Sequence, residues 1–549
     1  MRYPLRIAGV IGIALLFGLT GCKDKQADII LINGIIHTVD DSSRVVQACA
    51  IKNGRIAAVG RTEDLLFDYA ADTVIDLRGK AVYPGLIDAH CHYYGYAMTL
   101  NQVALGATTS WEEVVTVVDS FGRDFTGEWI IGRGWDQNDW PDKDFPTNRI
   151  LNEKFPDRPV LLHRVDGHAA IANAKALELA GIDQNTPVEG GRIVRDYRGL
   201  TGVLVDNAVT LVENSVPTPS TDEVIDALKR AEQDLFAVGL TTVDDAGLDL
   251  RIINIIDSLQ QAGELRIRVY AMAAPTEENL ERFLNSGPYK TDRLHVSSFK
   301  IYADGALGSR GACMLKPYKD EPRQYGFLLE DIPWYQEMAL RLYDAGFQMN
   351  THCIGDSANR LFLDIYGSLL GGENDRRWRI EHAQVVHPDD LAKYGDYSVI
   401  PSVQPAHATS DMYWAEDRIG KERLQGAYAY KSLLAQNGML AYGSDFPVEN
   451  INPMLGFYAA VARVDLTDWP YGGFMKEEAL GRDSVLKAMT TWAAHANFEE
   501  DEKGSLEPGK VADLVIFPED LFSLDEKQLP YAQVWLTMVD GEVVYSAEN

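Results

Sequence analysis

The sequence is poor in cysteine, and its cysteines do not form the pairs of a redox or zinc-ribbon motif. It has five in 549 residues, without a CxxC spacing: Cys22, Cys49, Cys91, Cys313 and Cys353. Two of them adjoin histidines in apolar segments, so we expect small buried thiols and no structural disulfide. The sequence also lacks a P-loop, a Rossmann glycine fingerprint with its matching acid, and a nucleophile elbow. These absences argue against the corresponding nucleotide-binding and serine-hydrolase sites.

Basic residues are scarce relative to acidic ones. Lys and Arg number 51 and Asp and Glu number 81, which gives a formal net charge of −30 at pH 7. A surface this acidic repels nucleic acid and anionic membranes, so neither is an expected partner. We expect a small-molecule substrate as the partner. The oligomeric state does not follow from the composition.

No apolar run at the N-terminus is long enough to cross a membrane. The run over residues 7–19 is shorter than the roughly 20 residues a spanning helix needs, and Arg2 and Arg6 precede it. It ends in Leu19-Thr20-Gly21-Cys22, which resembles the lipobox of bacterial lipoproteins. The resemblance implies that residues 1–21 are a signal peptide and that Cys22 carries a lipid. The protein would then be exported to the periplasmic side of the bacterial cell envelope, touching the membrane only through this anchor. An ordinary secretory signal is the alternative.

Both ends of the remaining chain contain short apolar runs separated by turn residues. Asn33-Gly34 and Asn53-Gly54 lie between such runs near the N-terminus, and Asp540-Gly541 does so near the C-terminus. Asn-Gly and Asp-Gly between apolar runs are strong hairpin signals. We therefore predict one accessory β-sandwich, built from residues 22–80 and 501–549.

The middle of the chain, residues 81–500, alternates short apolar strands with helix-length segments. Eight strands are predicted, over residues 82–92, 241–245, 267–273, 296–303, 348–352, 379–382, 398–404 and 440–445. Eight βα units indicate an α/β fold of the TIM-type (β/α)8 barrel, whose catalytic groups lie at the C-terminal strand ends. Residues of about 105–220 exceed what the barrel needs. We interpret them as an insertion domain after the first barrel strand that covers the site.

Histidines and an aspartate fall at the ends of these predicted strands. His90 and His92 share one face of the first strand, because side chains alternate along a strand. Single residues end three later strands: His352, His382 and Asp445. Polar side chains converging at one barrel end are costly to bury unless they are paired or bind a metal. Imidazole and carboxylate ligands suit a borderline divalent ion, and zinc is the expected one.

With these residues the chain resembles the amidohydrolase superfamily, whose pattern is an HxH, a strand-four lysine or carboxylate, two single histidines and a strand-eight aspartate. Residues 84–88 and 504–514 also resemble that superfamily. Residues 134–141, 166–168 and 300–311 resemble amidohydrolase family 3, which includes N-substituted formamide deformylases. The resemblance implies that Lys300 is a further ligand, carboxylated on its amine and bridging two metals. The alternative is an unmodified lysine paired with Asp304 or with the substrate.

The same resemblance implies a metal-dependent hydrolase of non-peptide carbon–nitrogen bonds, in an amide, an N-formyl group or a cyclic amide. One or two metal ions would activate water, and Asp445 would be both ligand and catalytic proton shuttle. Hydrolysis of esters or carbamates at the same site is an alternative. So is a lipid-anchored protein that binds metal or small molecules without catalysis.

Five further residues are candidates for contacts with the substrate. They lie in the insertion, in the segment after the fourth strand, or after the seventh strand: Trp135, His168, Asp304, Arg310 and His407. Packing, local turns or salt bridges are the alternative roles for these side chains.

Overall fold

The computed structural model describes residues 25–548. The predicted signal peptide and Cys22 therefore lie outside the described residues. Between residues 25 and 548 no helix is long and apolar enough to cross a membrane.

Eight parallel strands follow one another in chain order around a nearly closed barrel, which fits the predicted TIM type. A short antiparallel strand, Tyr289–Lys290, pairs with the fourth. The barrel strands, from first to eighth, are Leu86–Cys91, Leu240–Leu248, Arg268–Ala273, Leu294–Tyr302, Gln348–Cys353, Arg379–His382, Ile400–Val403 and Ala441–Tyr442. All eight overlap the predicted segments.

The barrel closes between the first strand and the chain that follows the eighth. The amide of Asp445 donates to the carbonyl of His90 at 2.8 Å, and the amide of His92 donates to the carbonyl of Phe446 at 2.8 Å. The residues predicted as ligands thus form the backbone seam of the barrel at its C-terminal end.

The first predicted strand, over residues 82–92, is divided in the structure. Ala81–Pro84 pairs with the C-terminal strand Leu514–Phe517 in an accessory sheet, and Leu86–Cys91 enters the barrel. Gly85 joins the two. A Cβ at this position would lie 2.2 Å from Oγ1 of Thr241, so only glycine allows the close approach of the barrel there.

Helices surround the barrel between its strands. The helix Thr221–Ala237 begins at Ser220, where a capping box with Glu223 satisfies the first free amides. From residue 221 onward the helices are Thr221–Ala237, Leu250–Gln261, Glu277–Ser286, Ile332–Ala345, Asp356–Leu370, Ala392–Asp396, Pro405–Asp411, Ala415–Leu424, Tyr430–Asn437, Pro453–Ala462, Arg482–Ala488 and Thr491–Ala496. Two more, Thr62–Asp68 and Tyr93–Thr99, lie nearer the N-terminus.

Two accessory sheets combine both ends of the described chain. One has four strands: Lys25–Ile32, Ala48–Lys52, Arg55–Gly60 and Tyr69–Asp76. The other has six: Ile35–His37, Val45–Val46, Ala81–Pro84, Leu514–Phe517, Leu536–Val539 and Glu542–Ser546. Leu31 and Ile51 of the first sheet share a buried apolar cluster with Ile516 and Met538 of the second. Burial of this cluster holds the two ends of the chain together.

The segment after the first barrel strand forms a separate six-stranded mixed sheet. Its strands are Val103–Ala104, Ile130–Trp135, Val160–Arg164, Ala169–Ala172, Gly191–Asp196 and Gly199–Asp206, and its helices are Trp111–Asp124, Arg149–Lys154, Ala174–Leu179 and Asn207–Glu213. Leu161 and Leu162 point to opposite faces and belong to two different apolar clusters. Both faces of this sheet are therefore covered by apolar packing of its own.

Candidate active site

His90 and His92 are held by their Nδ1 atoms. Nδ1 of His90 lies 2.5 Å from a carboxylate oxygen of Glu381, and Nδ1 of His92 donates to the carbonyl of Ala246 at 3.0 Å. The Nε2 atoms lie 3.6 Å and 3.2 Å from Oδ1 of Asp445. Partners on one ring nitrogen fix the orientation of the other, as in metal sites where a carboxylate or carbonyl orients the ligand.

Asp445 is shared by two groups of side chains that have the geometry to hold a metal ion. The first group contains His90, His92 and Asp445, and the second contains His382, His407 and Asp445. In each group the ligand atoms lie within 4.8 Å of one another. Nε2 of His407 is 3.3 Å from Oδ2 of Asp445. The sequence predicted His407 as a substrate contact, and the structure makes it a candidate ligand as well.

Three of the histidines and Asp445 are in the protonation states that metal binding requires, whereas Asp445 and Glu449 raise the pKa of His407 against the effect of its burial. Burial lowers the pKa of His90, His352 and His382, so these rings are neutral. Burial alone would raise the pKa of Asp445, but hydrogen bonds from His407 and His92 hold it well below its usual value. Nε2 of His352 and Nδ1 of His382 are buried without a hydrogen-bond partner among residues 25–548. Neutral imidazoles around one carboxylate fit a borderline divalent ion.

His352 and Lys300 lie beside these groups. The ring centroid of His352 is 4.6 Å from that of His382. Nζ of Lys300 is 3.0 Å from Nε2 of His90 and 4.7 Å from the ring centroid of Tyr302. Burial lowers the pKa of Lys300 to about 8, although Glu381 and Asp445 act to raise it.

The alternative pairing of Lys300 with Asp304 is not formed. The Asp304 carboxylate instead accepts from the amides of Cys313, Ile354 and Gly355, at 2.7 to 3.0 Å. These bonds attach the segment after the fourth strand to the turn after the fifth. The Asp304 carboxylate is fully buried in this backbone network, with Oδ1 3.8 Å from Nε2 of His352, and its predicted contact with the substrate stays a prediction.

A cavity of about 1200 Å³ lies between the barrel mouth and the insertion sheet. The barrel contributes the candidate ligands His92, Lys300, His352, His382, His407 and Asp445 to its wall. The insertion contributes Arg133, Asp136, Asp139, Arg164, Asp166, His168 and Glu213. The insertion therefore covers the site, as its position in the sequence predicts.

His168 reaches from the insertion to the candidate ligands. Its Nδ1 lies 2.7 Å from Oδ1 of Asp206, and its ring centroid is 4.9 Å from that of His352. Both predicted histidines of the substrate site, His168 and His407, line the cavity. Nδ1 of His407 is in turn 3.0 Å from Glu449.

Two other predicted pocket residues lie elsewhere. Trp135 is fully buried in the core of the insertion, where its indole donates to the carbonyl of Leu162 at 2.8 Å. Arg133, Gly134 and Asp136 line the cavity, because a β-bulge between Arg133 and Trp135, with Gly134 at a φ of 115°, turns Trp135 alone into the core. Arg310 pairs with Asp320 at 2.9 Å and does not line the cavity. In the structure these side chains have the alternative roles, packing for Trp135 and a salt bridge for Arg310, and their contact with substrate stays a prediction.

Glu381 is the main site residue that the sequence pattern did not predict. A period-two strand would place it on the opposite face from His382. However, His382 has a positive φ of 72°, and Asp445 likewise has a φ of 64°. This left-handed backbone turns His382 to the centre at the strand end, so that Glu381 and His382 both contact the site. Asp206 and Glu449 were missed because they act only through histidines distant in sequence.

Comparison with known proteins identifies related chains. A model of the amidohydrolase family matches residues 73–545. Protein LONG AFTER FAR-RED 3 of Arabidopsis thaliana is 34% identical over 539 residues, covering 94% of this chain and 92% of that protein. The putative amidohydrolase YtcJ of Bacillus subtilis is 31% identical, covering 93% and 98%. The N-substituted formamide deformylase of Arthrobacter pascens is 27% identical, covering 95% and 99%.

Solved structures show the same architecture. An uncharacterized metal-dependent hydrolase from Pyrococcus horikoshii superposes with a TM-score of 0.74 at 29% identity, covering 91% of this chain and 99% of that one. An adenosine deaminase from Xanthomonas campestris with bound zinc has a TM-score of 0.54 at 15% identity, covering 95% and 94%. At that identity the second likeness shows the fold alone.

Proposed function

This chain belongs to the amidohydrolase family and is a hydrolase acting on carbon–nitrogen bonds, and we propose that its substrates are small amides, N-formyl amines or cyclic amides rather than the peptide bonds of proteins. The observation that carries the proposal is the pair of donor groups sharing Asp445 at the floor of a covered cavity. The cavity volume of about 1200 Å³ admits a small molecule. A folded protein chain could reach this floor only past the insertion.

The proposed cofactor is zinc, as one or two ions. His90, His92 and Asp445 would hold one ion, and His382 with Asp445 would contribute to the second, next to His352. A bound divalent cation lowers the pKa of water toward about 7 and polarises a carbonyl oxygen. The buried, neutral histidines support this assignment, because a protonated ring could not act as a ligand.

Asp445 is the proposed proton acceptor. Its low pKa keeps it ionised, so it can take a proton from the attacking water and deliver it to the leaving nitrogen. Nε2 of His407 contacts the second carboxylate oxygen of Asp445, Oδ2, and Nδ1 of His407 contacts the Glu449 carboxylate. This chain of contacts orients the Asp445 carboxylate toward the cavity. Glu381 does the same for the His90 ring.

Lys300 is the proposed bridge between two ions, as a carbamate. Its amine lies 3.0 Å from His90 Nε2, and no carboxylate of the described residues lies within 4.0 Å of it. An ammonium in that position would repel a bound cation, whereas a carbamate is an anionic ligand. Metal analysis tests the proposal. Two ions per chain, and loss of one in Lys300→Met, are expected; one ion in the fully loaded protein would remove the bridging role.

Activity is tested by comparing chelator-treated and metal-reconstituted protein on a panel of N-acyl amines, N-formyl amines and cyclic amides. We expect turnover only with metal, on at least one member of the panel. Ester and carbamate analogues of the active compounds belong in the same assay, and preference for them would favour the alternative chemistry. Complete inactivity of metal-loaded protein would favour a binding protein without catalysis.

We also propose that the protein is exported and lipid-anchored through Cys22. The lipobox-like Leu19-Thr20-Gly21-Cys22 supports this. Expression of the full chain in a bacterial host should place it in the membrane fraction, and Cys22→Ser should release it or leave its signal uncleaved. Wild-type protein found without an attached lipid would contradict the proposal.

A further inference from the structure

Arg133 lies in the cavity wall without an ionic partner. It belongs to the insertion strand Ile130–Trp135, and one of its terminal nitrogens donates to the carbonyl of Val165 at 2.9 Å. Within residues 25–548 no carboxylate oxygen lies within 4.0 Å of its guanidinium, and its Nε is buried without a hydrogen-bond partner. Arg133 is half-buried, and a guanidinium withdrawn from water in this way is costly to leave without an acceptor.

Gly167 packs against the same guanidinium. The glycine has a φ of +74°, and a Cβ added there would lie 3.0 Å from a terminal nitrogen of Arg133. A side chain at this position would push the guanidinium or cover it. The turn therefore holds Arg133 at the cavity surface and leaves it accessible.

Arg164 lies on the neighbouring strand in the same cavity wall and, unlike Arg133, is paired with acidic side chains. It forms salt bridges to Asp136 and to Asp166, the latter at 2.5 Å. The other oxygen of Asp166 accepts from the amide of His168 at 3.0 Å. Both oxygens of Asp166 are thereby occupied, and Asp166 forms no salt bridge with Arg133. Of the two arginines in the cavity wall, one is paired within the protein and the other is not.

Arg133 faces the candidate metal end of the cavity. Burial lowers the pKa of Arg133, and the charges of Asp166, Asp445 and Glu213 oppose that effect. Tyr302 lines the cavity as well. Its ring centroid lies 5.4 Å from that of His352, and the charge of Arg133 acts on its hydroxyl. Gly167, which packs against the guanidinium, is followed by His168, whose ring centroid lies 4.9 Å from that of His352, so an anionic group bound by Arg133 would lie on the side of the cavity next to the candidate ligands.

We propose that Arg133 binds a carboxylate of the substrate, so that the substrates are N-acylated amines carrying a carboxylate close to the scissile carbon–nitrogen bond. This inference rests on the proposed function and narrows it to the N-acyl amino acid class. A guanidinium presents a rigid fork of donors that matches a carboxylate, and it stays charged at any physiological pH. The substrate would supply the acceptor that the protein does not.

The test compares matched substrates. N-formyl and N-acetyl amino acids of both configurations are assayed beside the corresponding primary carboxamides, which have the same shape without the charge. We expect the metal-loaded protein to prefer the carboxylates by about 100-fold in kcat/KM, since a site built around a charged hydrogen bond discriminates strongly. In Arg133→Gln the preference should fall below about 10-fold, mainly through KM, and Arg133→Lys should be intermediate.

Lys143→Gln is the matched control. It removes one positive charge from the same insertion, at an exposed side chain 3.9 Å from Asp417. The preference for carboxylates should not change in this variant. Melting curves of all variants show whether the insertion remains folded.

The outcomes separate this inference from the proposed function. Equal hydrolysis of both substrate series by the wild type, or an unchanged preference in Arg133→Gln, would overturn the role of Arg133 and leave the hydrolase proposal intact. Absence of turnover on every compound would instead count against the proposed function. In that case calorimetry with N-acetylglycine decides: weaker binding to Arg133→Gln than to the wild type supports the anion site, and equal binding overturns it.

Discussion

The two ends of the barrel bury charged groups in opposite ways. At the N-terminal end, Arg268 begins the third strand and pairs with Asp513 at 2.6 Å and with Asp540. Glu499 lies there between Lys503, at 2.6 Å, and His295, at 3.3 Å. At the C-terminal end, nitrogens of His352 and His382 are buried without partners in the described chain.

The difference separates groups that stabilise the fold from groups that serve the reaction. Buried polar atoms are normally paired, because an unpaired one costs about 1–3 kcal/mol. At the N-terminal end Arg268 follows this rule and joins the barrel to the accessory sheets, although Nδ1 of His295 faces Glu499 at 3.3 Å without a hydrogen bond. The C-terminal end departs from it around Asp445, where a metal and a substrate would complete the set. Substitutions at the two ends should therefore affect different measured quantities.

The largest effect is expected for Asp445→Asn. The amide cannot accept the proton, so kcat/KM should fall by at least about 1000-fold on any active substrate. Because the backbone seam at this residue uses its amide, the melting temperature should change little. The measurement is turnover at saturating metal, with metal content determined in parallel. A rate near that of the wild type would exclude Asp445 from its proposed role.

At the opposite end, Arg268→Met should lower the free energy of unfolding by about 3–5 kcal/mol, because it leaves Asp513 buried without its partner. Turnover per folded molecule should stay unchanged. Denaturant unfolding measures the first quantity and active-site-normalised kinetics the second. Adding Asp513→Asn should recover part of the stability. A loss of turnover without a loss of stability would contradict the contrast between the two ends.

Glu381→Gln tests a residue that contacts His90 and lies off the substrate cavity. The weaker acceptor should orient the ring less well and lower metal affinity by about 10- to 100-fold. At saturating metal most of the activity should return. Competition with a chelator measures the affinity. A loss of activity that excess metal does not restore would indicate a role beyond orientation of His90.

The smallest effect is expected for Glu499, as a pH dependence of the free energy of unfolding. Burial would raise the pKa of Glu499, but Lys503 and His295 hold it below its usual range in the folded protein. A lowered folded-state pKa stabilises the protein above the unfolded-state value of about 4.3, and this contribution is lost as the pH falls below it. The stability difference between wild type and Glu499→Gln should therefore be greatest near pH 7 and shrink below about pH 4. A stability difference that stays constant across that pH range would contradict this prediction.

Much of the site could be predicted from the sequence, because the site residues lie at the ends of strands. Apolar runs predict the eight strands, and a parallel barrel brings the last residue of each strand to one rim. His92, His382 and Asp445 meet there for that reason. The insertion is predicted from its length and position, since an excess segment after the first strand has to lie over the same rim.

Other residues could not be predicted because their roles depend on contacts between distant segments. Trp135 is a large aromatic residue in a segment next to the pocket, but the β-bulge between Arg133 and Trp135 turns its side chain into the insertion core. Asp304 is an acidic residue that could form a salt bridge, but its carboxylate accepts hydrogen bonds from three backbone amides instead. Glu381 could not be predicted as a site residue from its position next to His382, because the positive φ of His382 at the strand end breaks the expected alternation of side chains.

The sequence alone therefore predicts the barrel and the histidine and aspartate donors, since these depend on periodicity and on local strand ends, and its motifs carry the resemblance to the family. Tertiary structure alone decides which charges are paired. It places Arg133 and Arg164 in one wall, and gives acidic partners only to Arg164. The physical reason is that the cost of a buried charge is set by its neighbours in space, and those neighbours come from strands that the sequence keeps far apart.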